Sequence, residues 1–189
     1  ITKEEAKEMI SAAANGPARI IIGIVGKPGG GKSTLSKFLV KGFDPLLVSV
    51  LPMDGFHLSN KVLKSLGRSE RKGAPDTFDV KGFTNLLERI AHDHSNSIYY
   101  PIFDRSIEES IAAQGVVLPS TRVVLVEGNY LMHDQGGWED VSPLLSQCWY
   151  AFLDEDVRIS RLISRHIAFG KDPESAKEWA KGTDQRNAE

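Results

Sequence analysis

The sequence predicts an α/β protein of three layers, in which helices cover both faces of a mostly parallel sheet. Short apolar runs typical of buried strands, at residues 19–25, 46–51 and 123–126, alternate along the chain with stretches of helical periodicity. A glycine-rich segment also connects the first run directly to a helical stretch. With 189 residues, of which 41% are apolar, the chain suits one domain of ordinary size.

The N-terminal elements follow from capping signals and periodicity. Thr2 and Glu5 match a capping box, so we expect a helix from there to Ala14. Residues 19–25 are rich in isoleucine and predict a strand buried on both faces. Residues 32–40 predict the helix that follows this strand.

The remaining elements continue the alternation. Residues 46–51 predict a second strand, which ends at the segment 52–57. Residues 99–118 contain Pro101, Gly115 and mixed periodicity, and they indicate extended segments or a hairpin excursion rather than a second domain. The other expected elements are a helix at 80–92, strands at 123–126 and 149–153, and helices at 156–169 and 173–181.

Residues 26–33 match the phosphate-binding pattern G-x-x-x-x-G-K-[ST] between the first strand and its helix. In that context the glycines let backbone N–H groups and a helix N-terminus face an anion, with the ammonium of Lys32 beside them. The Ser33 hydroxyl is then placed to bind Mg²⁺. The pattern therefore predicts a P-loop NTPase fold that binds ATP with Mg²⁺, rather than a glycine-rich turn that binds nothing. The candidate nucleotide-binding residues are Gly26, Gly29, Gly30, Gly31, Lys32, Ser33 and Thr34.

The composition limits which binding partners and which cellular compartment we expect for the chain. A net charge of −2 and a pI near 6.2 argue against binding to nucleic acid or to an anionic membrane, because both need a basic excess. Cys148 is the only cysteine, so the chain suits a reducing compartment, with the cytoplasm as the default. No apolar stretch approaches the ~20 residues needed to span a bilayer, and the first residues are charged rather than signal-like.

Two acidic residues are expected at the carboxyl ends of strands, where ligands bind in open α/β sheets. Asp54 follows the second strand and Glu127 ends the third, so both should converge on the phosphate loop. We predict that Asp54 orients the attacking hydroxyl and accepts its proton, and that Glu127 binds the metal or one of its waters. The candidate metal site is thus Ser33, Glu127 and Asp54. Alternatively, Asp54-Gly55 is a plain turn and Glu127-Gly128 ends a strand.

Four segments resemble the uridine kinase, pantothenate kinase and phosphoribulokinase group of phosphate-loop kinases, and the resemblance spans most of the chain. The segments are Met53-Asp54-Gly55-Phe56-His57, residues 72–79 ending in Phe78-Asp79, Pro101-Ile102-Phe103-Asp104, and Val126-Glu127-Gly128-Asn129-Tyr130. The resemblance implies that Asp54 is the catalytic base, that Asp79 contacts the acceptor and that residues 101–104 line its pocket. Phe103 stands where many relatives carry tyrosine, which removes a hydroxyl donor. The chain is most similar to a bacterial subgroup named fructose-transport-associated or uridine-kinase-like.

The helix expected from residue 156 carries Arg158, Arg161 and Arg165 on one face. This pattern resembles the lid helix of the family, whose arginines reach the triphosphate during transfer, and it favours Arg161 and Arg165 as the catalytic contacts. A cationic stripe is otherwise a solvated helix face. Lys171 is a further candidate lid charge. We therefore expect a single domain over residues 1–189, with an acceptor-pocket insertion at about 54–118 and a lid at about 156–171.

Several candidate residues for the acceptor pocket retain alternative roles. Asp79 either contacts the acceptor or caps the helix at residue 80, or does both. His57 either hydrogen-bonds to acceptor or phosphate or is solvated. Asp104 and Arg105 are polar residues flanked by apolar ones and are candidate pocket residues, together with Phe103. His92 and His94 lack the spacing typical of a zinc site.

Three classes of function remain to be compared. A regulatory GTPase would need Asn-Lys-x-Asp, but the similar segment at 60–63 ends in Leu63. An ATPase or nucleotide-gated binding protein needs no acceptor and accounts only for the phosphate loop. A kinase for a small hydroxylated metabolite accounts for the loop, the strand-end acids and the arginine helix together, and we favour it. Sugar, nucleoside and pantothenate-like acceptors all stay open, and a homodimer is one option that the resemblance implies.

Overall fold

Four parallel strands and a separate hairpin organise the part of the chain that the structure describes, which is residues 1–170, 172–182 and 185 of a computed structural model. In those residues the elements are α1 (Lys3–Ala14), β1 (Ile20–Val25), α2 (Lys32–Val40), β2 (Val48–Pro52), α3 (Asn60–Ser65), α4 (Val80–His92), β3 (Ile98–Asp104), β4 (Glu109–Val117), β5 (Val123–Gly128), β6 (Gln147–Tyr150), α5 (Glu155–Ala168) and α6 (Pro173–Lys181).

The sheet has the strand order β2-β5-β1-β6, and all of its strands are parallel. Strand β5 therefore lies between β1 and β2, although it comes much later in the chain. In this register Glu127 is paired with Ile24 on one side and with Pro52 on the other. The residues that follow β1, β2 and β5 consequently meet at one edge of the sheet.

Each face of the sheet carries its own hydrophobic core, which confirms the predicted three-layer α/β/α fold. Helices α1 and α2 cover one face, where their apolar residues pack on alternate residues of the central strands. Helix α4 and the β3-β4 hairpin cover the other face. The first core includes Ala6, Ile10, Leu39, Ile22, Ile24, Val123 and Leu125, and the second includes Phe83, Leu87, Ile90, Ile98, Ile21, Val124 and Val126.

Most predicted elements appear at or near their expected bounds. The capping box at Thr2 is formed, and α2 and α4 have their predicted limits. The ambiguous segment 99–118 is an antiparallel hairpin with an irregularity between Tyr100 and Ile102. Strand β6 lies about two residues earlier than predicted, because its partner β1 ends at Val25 and offers no further residues to pair. Helix α3 and several short 3₁₀ turns were not anticipated.

The β3-β4 hairpin packs tightly against the turn that carries Asp54. This 3₁₀ turn, Met53–Phe56, directly follows β2. A Cβ atom on Gly55 would lie only 2.0 Å from the carbonyl oxygen of Pro101, so only glycine allows this close approach of the two backbones. The Tyr100 hydroxyl also donates a hydrogen bond of 2.8 Å to the Val50 carbonyl. The position of Asp54 is thereby fixed by contacts with the hairpin as well as by β2.

Helix α5 packs directly on the glycine-rich loop between β1 and α2. Gly29 has φ +75°, and a Cβ atom there would lie 2.6 Å from Cγ of Leu162. Glycine is therefore required both by the left-handed backbone and by the packing of the helix. Helix α6 packs in turn on α5. Within the described residues, no helix combines the length and the apolar character needed to cross a bilayer.

Candidate functional site

A cleft of about 760 Å³ opens at the edge of the sheet where β1, β2 and β5 end. Its walls come from the glycine-rich loop, the ends of β2 and β5, the hairpin turn and helices α5 and α6. The lining residues used below are Gly29, Gly31, Lys32, Ser33, Thr34, Asp54, His57, Lys72, Phe103, Arg105, Glu127, Asn129, Arg161, Arg165 and Phe169. Phosphate-binding, acidic and cationic groups from distant parts of the sequence therefore share one cavity.

The ammonium group of Lys32 is held by oxygen atoms of the loop and of β5. It donates hydrogen bonds to the carbonyl of Gly26 at 2.7 Å, to the carbonyl of Lys27 at 3.1 Å and to the Asn129 side chain. Burial lowers the pKa of Lys32 to about 8, although the charges of Asp54 and Glu127 act in the opposite direction. A polyphosphate in the loop would restore the charged form by supplying the counter-charge that the buried ammonium needs.

The candidate nucleotide-binding residues divide into lining residues and loop-shaping residues. Those that line the cleft are Gly29, Gly31, Lys32, Ser33 and Thr34. Gly26 and Gly30 lie in the same loop but contribute to its shape: the Gly26 carbonyl accepts from Lys32, and the Gly30 amide donates to the Lys27 carbonyl at 2.9 Å. The loop leads into α2, whose N-terminal amides face the cleft.

Two serine hydroxyls hold the carboxylate of Glu127. Ser33 donates to Oε1 at 2.9 Å, and Ser36 donates to Oε2 at 2.8 Å. This arrangement places one hydroxyl and one carboxylate beside the loop, which is an all-oxygen donor set of the kind that Mg²⁺ prefers. Among the described residues there is no group of three or more His, Cys, Asp or Glu side chains that could hold a metal alone. The site therefore fits Mg²⁺ that is shared with phosphate oxygens.

Asp54 lies across the cleft from the loop and is paired with Arg105. The Arg105 Nη2 to Asp54 Oδ2 distance is 2.7 Å, and the two side chains are 40% and 33% exposed. Burial alone would raise the pKa of Asp54, but the surrounding cations, led by His57 and Arg105, outweigh it and hold the pKa below its usual value. Asp54 is thus ionised at neutral pH and can accept a hydrogen bond from a hydroxyl group.

His57 lies between two aromatic rings in the wall next to Asp54. Its ring centroid is 4.0 Å from that of Phe78 and 4.8 Å from that of Phe103. Its Nδ1 atom is 2.8 Å from the Asp54 carbonyl oxygen. Burial lowers the pKa of His57, against the charge of Asp54. The imidazole is packed as part of an aromatic wall beside Asp54.

Two predicted acceptor residues lie outside the described lining of the cleft. Asp79 caps α4, because its Oδ1 atom accepts a 2.9 Å hydrogen bond from the Gly82 amide. Asp104 accepts hydrogen bonds from the amide and the hydroxyl of Ser106 at 2.8 and 2.6 Å on the exposed hairpin turn. Phe103 and Arg105, in contrast, both face the cavity.

The three arginines of α5 are separated by the structure. Arg161 and Arg165 line the cleft, whereas Arg158 is buried and 1% exposed. Arg158 donates to the carbonyl of Pro28 at 2.9 Å and forms an ion pair with Glu155. It therefore holds the start of α5 against the glycine-rich loop. Lys171 lies outside the described residues.

Sequence reasoning missed three residues of the site. Asn129 holds Lys32, Ser36 holds Glu127, and Lys72 lines the cavity beside Phe103. Asn129 directly follows the strand-end Glu-Gly pair, and Ser36 lies one helical turn after Ser33, so spacing could have indicated both. The position of Lys72 depends on how the hairpin folds and had no local signal.

Comparison with known proteins agrees with this geometry. A Schizosaccharomyces pombe protein provisionally named uridine kinase C227.14 is 33% identical over 160 residues, which cover 80% of this chain and 68% of that protein. YggC of Escherichia coli strain K12 is 33% identical over 180 residues, which cover 93% of this chain and 73% of YggC.

A solved structure shows the same fold along the whole chain. A protein from Silicibacter sp. TM1040, provisionally named a fructose transport system kinase, superposes with a TM-score of 0.88 at 35% identity and covers 100% of this chain and 92% of its own. The sequence model of the Phosphoribulokinase / Uridine kinase family matches residues 21–181. The cleft, the strand-end acids and these similarities agree, and the chain belongs to the phosphoribulokinase/uridine kinase family of P-loop kinases.

Proposed function

We propose that this protein transfers the γ-phosphoryl group of ATP to a hydroxyl group of a small metabolite, with sugars, nucleosides and pantothenate-like compounds as the candidate acceptors. The observation that supports this proposal is that one cavity contains both the phosphate loop and the ionised carboxylate of Asp54. An ATP-binding protein without acceptor chemistry has no need for a base in that position.

Different residues of the cleft bind the phosphates, the metal and the acceptor hydroxyl. Lys32 and the loop amides hold the phosphates, while Ser33 and Glu127 provide oxygen ligands for Mg²⁺. Mg²⁺ held there would supply positive charge that offsets the negative charge developing during transfer. Across the cleft, Asp54 orients the acceptor hydroxyl and accepts its proton as the new oxygen–phosphorus bond forms and ADP leaves. Asp54 would also belong to the metal site, together with Ser33 and Glu127.

The lid supplies the remaining positive charge. Arg161 and Arg165 line the cavity from α5, on the side that faces the loop. Guanidinium groups stabilise a transferring phosphoryl group because they match the geometry of its oxygens. His57 and Phe103 complete the wall near Asp54 and exclude water from the acceptor.

The decisive experiment measures ADP release from ATP with magnesium, in the presence and absence of candidate acceptors. We expect little ADP without an acceptor and a strong increase with the correct one. A thermal-shift screen of metabolites with a non-hydrolysable ATP analogue would select the compounds to test, since a bound ligand stabilises the folded state. If ADP formed at the same rate with any acceptor or none, the protein would be an ATPase or a nucleotide-gated binding protein instead.

Two further expectations accompany this function. A cytoplasmic location follows from the single cysteine and from the need for ATP. The expected partners are a small acceptor and, by resemblance to relatives, a second copy of the chain, whereas neither nucleic acid nor a membrane is proposed.

A further inference from the structure

Two positive charges lie against the ring of Phe103 on the acceptor side of the cleft. The Lys72 Nζ atom is 5.0 Å from the ring centroid, and the Arg105 Cζ atom is 5.7 Å from it. Both side chains line the cavity, and neither belongs to the phosphate loop or to the lid. Arg105 is paired with Asp54, so its charge acts on whatever binds beside that carboxylate, although it also reaches Lys32 in the loop.

Arg105 lines the cavity and uses little of its hydrogen-bonding capacity on the described residues. Within the described residues, its guanidinium donates one hydrogen bond, from Nη2 to Asp54. A guanidinium has five N–H donors in a planar fork, which matches carboxylate and phosphate oxygens. Arg105 can thus keep its contact with Asp54 and bind an anionic group at the same time.

Lys72 adds a second cation that is shielded from solvent. Its side chain is 15% exposed, whereas that of Glu108, its nearest acidic neighbour at 3.8 Å, is 55% exposed. The Lys72 ammonium is held in place by the Asn60 side chain at 2.7 Å and by the Glu108 carbonyl at 2.6 Å. Glu108 also lines the cavity, but water screens its more exposed carboxylate, so it offsets the charge of Lys72 only in part.

We propose that the acceptor is an anion, in which a carboxylate or a phosphate monoester group lies close to the hydroxyl that receives the phosphoryl group. Arg105 binds the anionic group, Lys72 supports it, and Asp54 binds the hydroxyl. This inference rests on the proposed phosphotransfer and specifies its substrate class. Because a single guanidinium contacts both Asp54 and the anionic group, the hydroxyl and the anion must be separated by only a few bonds.

The test uses simple probes, so it does not require the natural acceptor. Magnesium and a non-hydrolysable ATP analogue first saturate the phosphate loop. Acetate, methyl phosphate or glycerol is then titrated at constant ionic strength, with thermal stability as one readout and the side-chain NMR signal of Arg105 as the other. Acetate represents a carboxylate, methyl phosphate represents a phosphate monoester, and glycerol represents a neutral acceptor.

We expect one of the two anions to stabilise the protein saturably and to shift the Arg105 signal, and the identity of that anion distinguishes a hydroxy acid from a sugar phosphate. Arg105→Met should weaken this binding about tenfold or more, which is the scale of lost charge-assisted hydrogen bonds. Arg105→Lys should restore only part of it, since an ammonium lacks the planar fork. Arg89→Met, on the exposed face of α4, is the matched control and should leave binding unchanged.

Three results would overturn the proposal: no saturable response to either anion, equal stabilisation by glycerol, or anion binding that survives in both Arg105→Met and Lys72→Met. Turnover is not needed for this measurement. Acceptor-dependent ADP release together with a negative anion titration would reject the anionic acceptor and keep the kinase. Absent ADP release with a positive titration would reject the kinase and leave only an anion-binding site at Arg105.

Discussion

The two halves of the cleft are built in different ways. The phosphate half consists mainly of backbone amides from one short segment, residues 26–33, with Lys32 and Ser33 at its end. The acceptor half consists of side chains from several segments, namely the turn after β2, the 69–73 segment and the hairpin. The first is therefore specified locally, and the second exists only after the hairpin has packed on the sheet.

This difference separates triphosphate binding from acceptor specificity. Backbone amides bind any triphosphate, because each residue supplies the same donor. Side chains such as Arg105 and Lys72 present particular charges at particular places, so a few substitutions there change the acceptor without disturbing the loop. Substitutions and changes of pH can test each half separately, and we expect different effects from the two halves.

Asp54→Asn should have the largest effect and should separate the halves most clearly. The amide keeps the shape but cannot accept the proton, so kcat should fall by ~10² or more while ATP affinity stays nearly unchanged. Steady-state kinetics together with nucleotide titration measure the two quantities. Asp140→Asn, which alters only the surface pair with Lys81, is the control. Equal losses of binding and turnover would mean that Asp54 serves the nucleotide instead.

Gly55→Ala tests whether the acceptor half depends on the hairpin. The new methyl group would meet the Pro101 carbonyl, and we expect the free energy of unfolding to decrease by about 1–3 kcal/mol, the usual cost of overpacking. Denaturant unfolding measures this change. Gly16→Ala, whose Cβ would lie 3.2 Å from its nearest neighbour, should change stability less. An unchanged Gly55→Ala protein would show that the turn and the hairpin separate easily.

The pH dependence of ATP binding tests the phosphate half alone. The empty protein has a lowered Lys32 pKa of about 8, so the ammonium is charged below that pH and neutral above it. Because the triphosphate favours the charged form, affinity should fall as the pH rises above about 8, by up to about tenfold per pH unit. Calorimetry between about pH 7.5 and about pH 9.5 would measure how ATP affinity changes with pH. A flat profile in the wild-type protein would contradict the lowered pKa, and Lys32→Arg should give a flat profile as control.

Asn129→Asp should give the smallest change, at the boundary between the halves. A carboxylate beside Lys32 would stabilise its ammonium, raise its pKa and repel the triphosphate. We expect ATP affinity to fall by roughly fivefold, about 1 kcal/mol, and its pH dependence to move to higher pH. Asn129→Ala introduces no charge, so it should leave the affinity at neutral pH closer to that of the wild-type protein. The same loss in both variants would assign Asn129 a purely structural role.

Sequence reasoning succeeded where a structural feature depends on residues that are close together in the sequence. The loop, its strand and its helix were predicted together because glycine spacing and apolar periodicity are local signals. The meeting of Asp54 and Glu127 at one edge also followed, since parallel strands place their carboxyl ends together. Helix capping by Asp79 was one of the alternatives that the sequence left open.

Sequence reasoning was less accurate where the position of a side chain depends on contacts between distant parts of the chain. Helical spacing placed Arg158, Arg161 and Arg165 on one face and favoured the last two as contacts, but it gave no sign that Arg158 is buried beside the Pro28 carbonyl. Likewise, nothing near Asp104 in the sequence indicates that its neighbour Arg105 turns towards Asp54 while Asp104 stays on the outer turn. Such choices depend on side chains that approach one another only in the folded protein.

The contact between Gly29 and Leu162 has a consequence for motion. The first turns of α5 rest on the loop, and Arg158 holds them there, so this helix is coupled to the loop. A shift of the loop around phosphate would therefore be transmitted along α5 towards Phe169, which lines the cleft at the far end of the helix. Nucleotide binding is in this way linked to the shape of the cavity.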